Sequence, residues 1–545
     1  MDQSLKIVVP PIHYIRLPKK LYLQTTFMKN ALRLLTILFL LPATISFAQG
    51  KDSLMVAAII TEANENSQLK NNAHELLDGI GPRLVGTPKM QQAHDWAVAK
   101  YTSWGIGARN EKWGEWRGWE RGVSHIDMTQ PWVKTLEGTQ LAWSPSTGGK
   151  TITAALSLIP DVADSMAFVQ WLPNVKGKFV MISMMQPTGR PDYNWTEFGT
   201  KESADKMKKE RTEQNDAWRK RVSKTGLSNK NLALALEKAG AVGIVGSNWS
   251  AGFGVNKIFG ASTTKIPTID IALEDYGLLY RLLESGKNPK ISVRTDSKEL
   301  GMVPTFNTVA EIKGTEKPNE YVMLSAHFDS WDGGTGATDN GTGTLVMMEA
   351  MRILKKIYPN PKRTILVGHW GSEEQGLNGS RAFVEDHPEI VKNMQALFNQ
   401  DNGTGRVVNI GGAGFVHSYE YIGRWLARVP SGYKQELETR FPGAPSGGGS
   451  DNASFVAAGV PAFGLGSNSW LYGSYTWHTN RDTYDKIVFD DLKNNAILTA
   501  ILVYMACEDP ATTSREKIVL PANRQTGEPG KWPEQRSPTR KGGVD

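Results

Sequence analysis

The chain has 545 residues, enough for two to four domains at roughly 150 residues each, and its 40% hydrophobic and 21% charged content excludes a disordered or collagen-like polymer. A formal charge of +7 raises a nucleic-acid reading, but residues 1–48 alone hold six basic groups against one acid, which leaves the rest at +2 and removes that partner. The single cysteine, Cys507, excludes a disulfide framework and cysteine zinc fingers, and its apolar surroundings predict a buried core thiol.

The N-terminal end has the pattern of an export signal. Lys29 and Arg33 precede the apolar run 34–41, and Ser46-Phe47-Ala48 supplies the small residues for cleavage after Ala48. The run is too short to span a membrane. The mature chain is therefore expected to be periplasmic or secreted, with no integral membrane segment. Met28 is the expected natural start, with residues 1–27 an over-extension of the reading frame.

Residues 49–140 are expected to open the main domain. Leu54, Ala57, Ile60 and Ala63 recur at helical spacing. The turn Gly79-Ile80-Gly81-Pro82-Arg83 follows, then a second amphipathic stretch around 91–102. The tryptophan-dense run 113–121 is expected to pack under a loop or between domains rather than stack on carbohydrate. Short strand-like runs at 178–183 and 242–246 mark an inserted domain over 150–295. Its charged segment 201–225 interleaves acids with Lys and Arg, which predicts a solvated surface helix. Over 300–510, strands at 321–326, 363–368 and 395–399 alternate with helices at 344–357 and 380–391. That alternation predicts an α/β fold, a three-layer αβα sandwich on a mostly parallel sheet. The Pro-, Gly- and Arg-rich end, 521–545, is expected to be a flexible tail.

In open parallel sheets ligands bind beyond the carboxyl ends of the strands. The polar residues at those ends form one set: His327 after the first strand, Glu373 and Glu374 after the second, Asp401 after the third. Asp339 sits in a Gly-rich loop before a helix, and His478 in a late loop. Imidazoles and carboxylates without thiolate suit zinc, and a carboxylate can bridge two ions that share a water. The set supplies such a site with one glutamate left over as a base. Asp329 can accept from the His327 imidazole and fix its tautomer. Singly each residue has a duller explanation, a packed histidine or a surface acid pair; their convergence at successive strand ends is what points to metal. Neither His-Glu-x-x-His nor Gly-x-Ser-x-Gly occurs.

The runs His327-Phe328-Asp329-Ser330-Trp331-Asp332, Gly336-Ala337-Thr338-Asp339-Asn340-Gly341, Glu373-Glu374-Gln375-Gly376-Leu377, Asn399-Gln400-Asp401, Ser450-Asp451-Asn452 and His478-Thr479-Asn480-Arg481-Asp482-Thr483 resemble the zinc peptidases of family M28. Gly81-Pro82-Arg83-Leu84-Val85-Gly86-Thr87 points to the carboxypeptidase Q branch of that family. The resemblance implies a zinc exopeptidase fold carrying an inserted protease-associated domain that shapes or covers the cleft. It implies two Zn²⁺ per chain: His327 and Asp401 on one, Glu374 and His478 on the other, Asp339 bridging. It also implies hydrolysis of short peptides by a metal-bridging water, with Glu373 as general base. Members of the branch often dimerise, so a homodimer is an expected assembly. Where some members place an oxyanion-stabilising tyrosine before the last histidine, this chain has Trp477, with Tyr475 close by in sequence; the oxyanion donor stays open. So does the choice between aminopeptidase and dipeptidase. A single-zinc glutaminyl-cyclase-like enzyme and a non-catalytic binding module share the architecture and stand as alternatives.

Overall fold

The computed structural model of the chain describes residues 43–522 and 524–543. The described residues fall into two units that divide between Asp52 and Ser53. The stretch expected to be an export signal lies mostly outside the described residues, which begin with helix Ala43–Glu65. Among the described residues no helix is long and apolar enough to cross a membrane.

Four parallel strands form the middle of the sheet in the second unit, in the order Ala462–Ser467, Met394–Asn399, Lys317–His327, Arg363–Trp370. The last of these is buried at every position and Met394–Asn399 likewise, as strands covered on both faces must be. Helices Thr342–Ile357 and Phe489–Glu508 pack on each other and on the sheet, and helices Asn378–Asp386 and Asn452–Ala457 form a second such pair. Helix Phe489–Glu508 is buried all round over 496–507, where Thr499 alone interrupts an apolar sequence. Cys507 lies within it, fully buried as expected.

A long antiparallel hairpin, Gly107–Gln130 with Lys290–Ile312, connects this sheet to a smaller one. Strand Lys290–Ile312 pairs with Arg363–Trp370 at one end and with Ile152–Leu158 at the other. Beyond it, Phe179–Met181, Gly243–Gly246 and Thr268–Ile271 continue in parallel, interleaved with helices. The domain boundary expected at 295–300 thus falls inside one continuous strand. The tryptophans of the first hairpin strand, Trp113, Trp116 and Trp119, bury against Trp143, Ile258 and Trp331, which is the packing role expected of them. Helix Lys201–Ser223 is solvated, with Lys201–Asp205 paired at 2.7 Å and Met207 its one buried side chain.

The C-terminal tail departs from expectation. It is a strap laid on the body: Trp532 donates from its indole to the Val456 carbonyl at 2.9 Å and packs on Phe415. Arg540 pairs with Asp386 at 2.7 Å, and Lys541–Gly542 add as a short strand beside Glu115 and Trp116. Its Pro- and Gly-rich composition suggested a loose end because a few isolated anchors, rather than a periodic apolar face, hold it down.

Candidate metal centre

All the predicted ligands converge. His327 ends its strand, Glu373 and Glu374 follow Trp370, Asp401 follows Asn399, and Asp339 lies just before helix Thr342–Ile357. His327 Nε2 is 3.1 Å from Asp401 Oδ1 and 3.4 Å from Asp339 Oδ1. His478 Nε2 is 2.9 Å from Glu374 Oε2 and 3.5 Å from Asp339 Oδ2. The two oxygens of Asp339 therefore face the two histidines separately.

Buried groups aim these side chains through the backbone. Asp329 accepts the main-chain N–H of Glu373 at 3.0 Å and of Glu374 at 3.2 Å. The expected acceptor role toward His327 goes instead to the Asp329 carbonyl, 3.0 Å from Nδ1, while the nearer carboxylate oxygen stands at 3.6 Å. Asp482 does for the bridging loop what Asp329 does for the glutamates, accepting from Thr338 N–H at 2.7 Å and Asp339 N–H at 3.0 Å. His478 holds a left-handed backbone at φ 60°, a conformation costly for a residue with a side chain. Ile258, in the loop between strands Gly243–Gly246 and Thr268–Ile271 of the smaller sheet, steadies it, donating its N–H to the His478 carbonyl at 2.7 Å.

Arg83, fully buried, gives the Gly-Pro-Arg turn its purpose. Its guanidinium donates to the carbonyls of Phe328 at 2.7 Å, Thr335 at 2.8 Å and Gly336 at 2.8 Å, tying together the loop between His327 and Asp339. Burial lowers its pKa to about 10 against the pull of Asp482, Asp329 and Asp339, so it stays charged at neutral pH. Arg83→Met should strip three buried carbonyls of their donor and cost about 3–5 kcal/mol. Chemical denaturation of the two proteins reads this, and an unchanged midpoint would refute the role.

The donor set fits metal. Nitrogen and oxygen ligands about 2.0–2.1 Å from a tetrahedral zinc lie roughly 3.3–3.4 Å from one another, close to the spacings here. At 3.4 and 3.5 Å the Asp339 contacts are long for hydrogen bonds. Asp339 Oδ2, Glu374 Oε1 and His478 Nδ1 are buried without a hydrogen-bond partner. Four carboxylates share the cluster with two imidazoles, a buried negative charge that calls for cations. Burial and neighbouring carboxylates push Glu373 and Glu374 well above the usual range, in spite of the His327 charge. Burial lowers His478 to about 4, leaving it neutral, the form in which imidazole binds metal. His327 is driven the other way: burial opposes its charge, but Asp401 and Glu373 outweigh that.

A cavity of about 470 Å³ opens over the centre, lined in part by Tyr472 and Trp477. Tyr475, the tyrosine noticed in the sequence, turns away and pairs its hydroxyl with that of Tyr193 at 2.5 Å. Tyr472 takes the place in the lining instead. Its hydroxyl faces Asp339 and helps hold that carboxyl below its usual range. It lies six residues before His478, so its place beside the bridge has no spacing signal.

A donor set of this kind at the carboxyl edge of a parallel-cored sheet defines a metal-dependent hydrolase. Residues 307–503 match the model of peptidase family M28, and this match together with the carboxypeptidase and aminopeptidase relatives makes the chain a metallo-exopeptidase. It is 25% identical over 488 residues to carboxypeptidase Q of Bos taurus, an alignment covering 86% of this chain and 93% of that protein. Its fold is similar to a peptidase M28 precursor from Shewanella amazonensis, with a TM-score of 0.64 and 24% identity over 87% of this chain and 100% of the other. It is also similar to a zinc aminopeptidase from Bacillus subtilis, with a TM-score of 0.53 and 18% identity over 83% and 97%. The family match spans every candidate ligand; the Arg83 turn and the inserted lobe lie outside it.

Proposed function

We propose that this chain is an exported di-zinc exopeptidase acting on short peptides, with Glu373 as general base. The observation that carries the reading is the division of Asp339, one oxygen toward each histidine. His327 and Asp401 would hold one ion, Glu374 and His478 the other, and Asp339 both. Nitrogen and oxygen donors suit zinc, and a zinc aminopeptidase shares the fold. When bound, such a pair supplies Lewis acidity that acidifies a water and polarises the scissile carbonyl.

The protein's own groups do the rest. Glu373 lines the cavity with no hydrogen bond to its carboxylate among the described residues, and its raised proton affinity suits a base. It takes the proton of the attacking water and delivers it to the leaving amine nitrogen. Tyr472 lines the same cavity, and its hydroxyl, released from Asp339 once that carboxylate holds metal, donates to the oxyanion that develops as the carbonyl becomes tetrahedral. Tyr472→Phe should therefore lower kcat by roughly 10²-fold with little change in KM. A change confined to KM would remove Tyr472 from that role. The inserted lobe contributes by bracing His478, through Ile258 and the pairing of Lys257 with Thr479.

The test of the reading is the mature protein with its metal quantified, assayed on a dipeptide panel with free and blocked N-termini. Two zincs per chain with hydrolysis is the expected result. One zinc with cyclisation of N-terminal glutamine, or intact metal without hydrolysis, would overturn it.

A further inference from the structure

The C-terminal strap is gripped at two places. At one, the Trp532 indole donates to the Val456 carbonyl at 2.9 Å, and the Lys517 ammonium stands 4.6 Å over its ring. At the other, the Thr539 N–H donates to Asn378 Oδ1 at 2.8 Å, and Arg540 pairs with Asp386 at 2.7 Å and Glu385 at 3.0 Å. Between these grips, residues 533–538 make no hydrogen bond or ion pair among the described residues. The strap crosses the body as a span fixed only at its ends.

That span lies on an extension of the catalytic cavity. Arg536 lines the cavity over the metal centre together with Leu377, Arg381 and Gly447. The same four residues line a second hollow, which runs between helices Asn378–Asp386 and Asn452–Ala457 beneath strap residues 533–536. The floor is firm, because Ser380 and Ser454 join the two helices through hydroxyls 2.9 Å apart. Only about 20 Å³ of the hollow is free, the room of one water molecule. The strap therefore fills a groove that would otherwise continue the cavity. A cavity of about 470 Å³ is roughly 10 Å across, and an extended peptide advances about 3.5 Å per residue, so about three residues fill it. A longer chain running this way meets the strap. Nothing draws the middle of the span inward: burial and then the Arg536 charge lower the pKa of Arg381, a repulsion between the two guanidinium groups. Gly447, Gly448 and Gly449, in the same lining, have open space above their α-carbons and offer the strap no side chain to rest on.

We infer that strap residues 533–536 are the end stop of the substrate cleft and restrict this chain to peptides of about two or three residues. The inference rests on reading the cavity as a peptidase site. The limit is steric, and it is set by a segment outside the family match at 307–503.

The test uses the zinc-loaded full chain and alanine peptides of two to six residues. Beyond three residues kcat/KM should fall about tenfold, the scale of one lost hydrogen bond, since a longer peptide has to lift an anchor of the strap. Thr539→Pro combined with Arg540→Ala removes the N–H to Asn378 and both acid pairs. Faster tryptic cleavage after Arg536 shows that the strap is loose in this variant. Its kcat/KM for hexa-alanine should rise to within about threefold of that for dialanine, with dialanine itself unchanged. Should the double variant fail to fold, Arg536→Gly decides, because that residue is exposed and lines both hollows. Equilibrium binding of the same peptides to Glu373→Gln reads the length limit without turnover. Equal kcat/KM at every length in the unmutated chain, or a limit unmoved in the variant, would overturn the inference and leave the peptidase reading standing. Absence of hydrolysis at every length, with the length limit intact in binding, would do the reverse.

Discussion

Glu373→Gln should retain two zincs per chain and lose roughly 10³-fold in kcat. The substitution keeps the size of the side chain and removes only its ability to take a proton. Nothing structural depends on the carboxylate: the main-chain N–H of Glu373, which Asp329 holds at 3.0 Å, is untouched. The proposed ligand Glu374 is fixed separately, by the Trp331 indole donating to its Oε2 at 2.8 Å. Metal analysis and single-turnover kinetics on one preparation separate the two effects. Full turnover in the variant would remove Glu373 from the role of base, and loss of zinc would make it a ligand.

The second large effect is expected at Asp339. Asp339→Ala should lose both ions together, because each histidine faces its own oxygen of that one carboxylate. The loop itself should survive. Asn340 Nδ2 still donates to the Gln400 carbonyl at 2.9 Å, and Asp482 still accepts the main-chain N–H groups of residues 338 and 339. Peptidase activity should fall to the detection limit. In addition, the thermal midpoint should stop rising with added zinc, since a ligand that binds only the native state stabilises it by mass action. A variant that still takes up two zincs would contradict the bridge, and one that takes up a single zinc would show that the sites fill independently.

The convergence of the candidate ligands was legible in the sequence because parallel strands buried on both faces read as short apolar runs, and the polar residue that ends each run marks the edge. The strand 363–368 and the helix 344–357 are observed as Arg363–Trp370 and Thr342–Ile357. The helix expected over 380–391 divides into Asn378–Asp386 and Pro388–Lys392, because Pro388 cannot donate to a continuing helix and instead begins a new one. The hairpin strand Gly107–Gln130 stayed hidden: its early residues, Arg109-Asn110-Glu111-Lys112, are polar, and its partner strand lies far along the chain. Arg83 and Asp482 carry no signal of their own in the sequence beyond the family resemblance. Each works by bonding to main-chain atoms of a distant loop, and such contacts impose no residue type on the partner that a sequence could display.

The bond from Ile258 N–H to the His478 carbonyl joins two properties that are usually measured apart. Packing of the lobe that carries the smaller sheet and affinity for the metal that His478 would bind become linked equilibria, and linkage is reciprocal. Whatever factor the docked lobe adds to zinc retention, zinc returns to lobe docking. A chelator would then loosen the seam between residues 257–258 and 478–479, and a substitution there such as Ile258→Pro, which removes the N–H, would register first as a faster loss of metal.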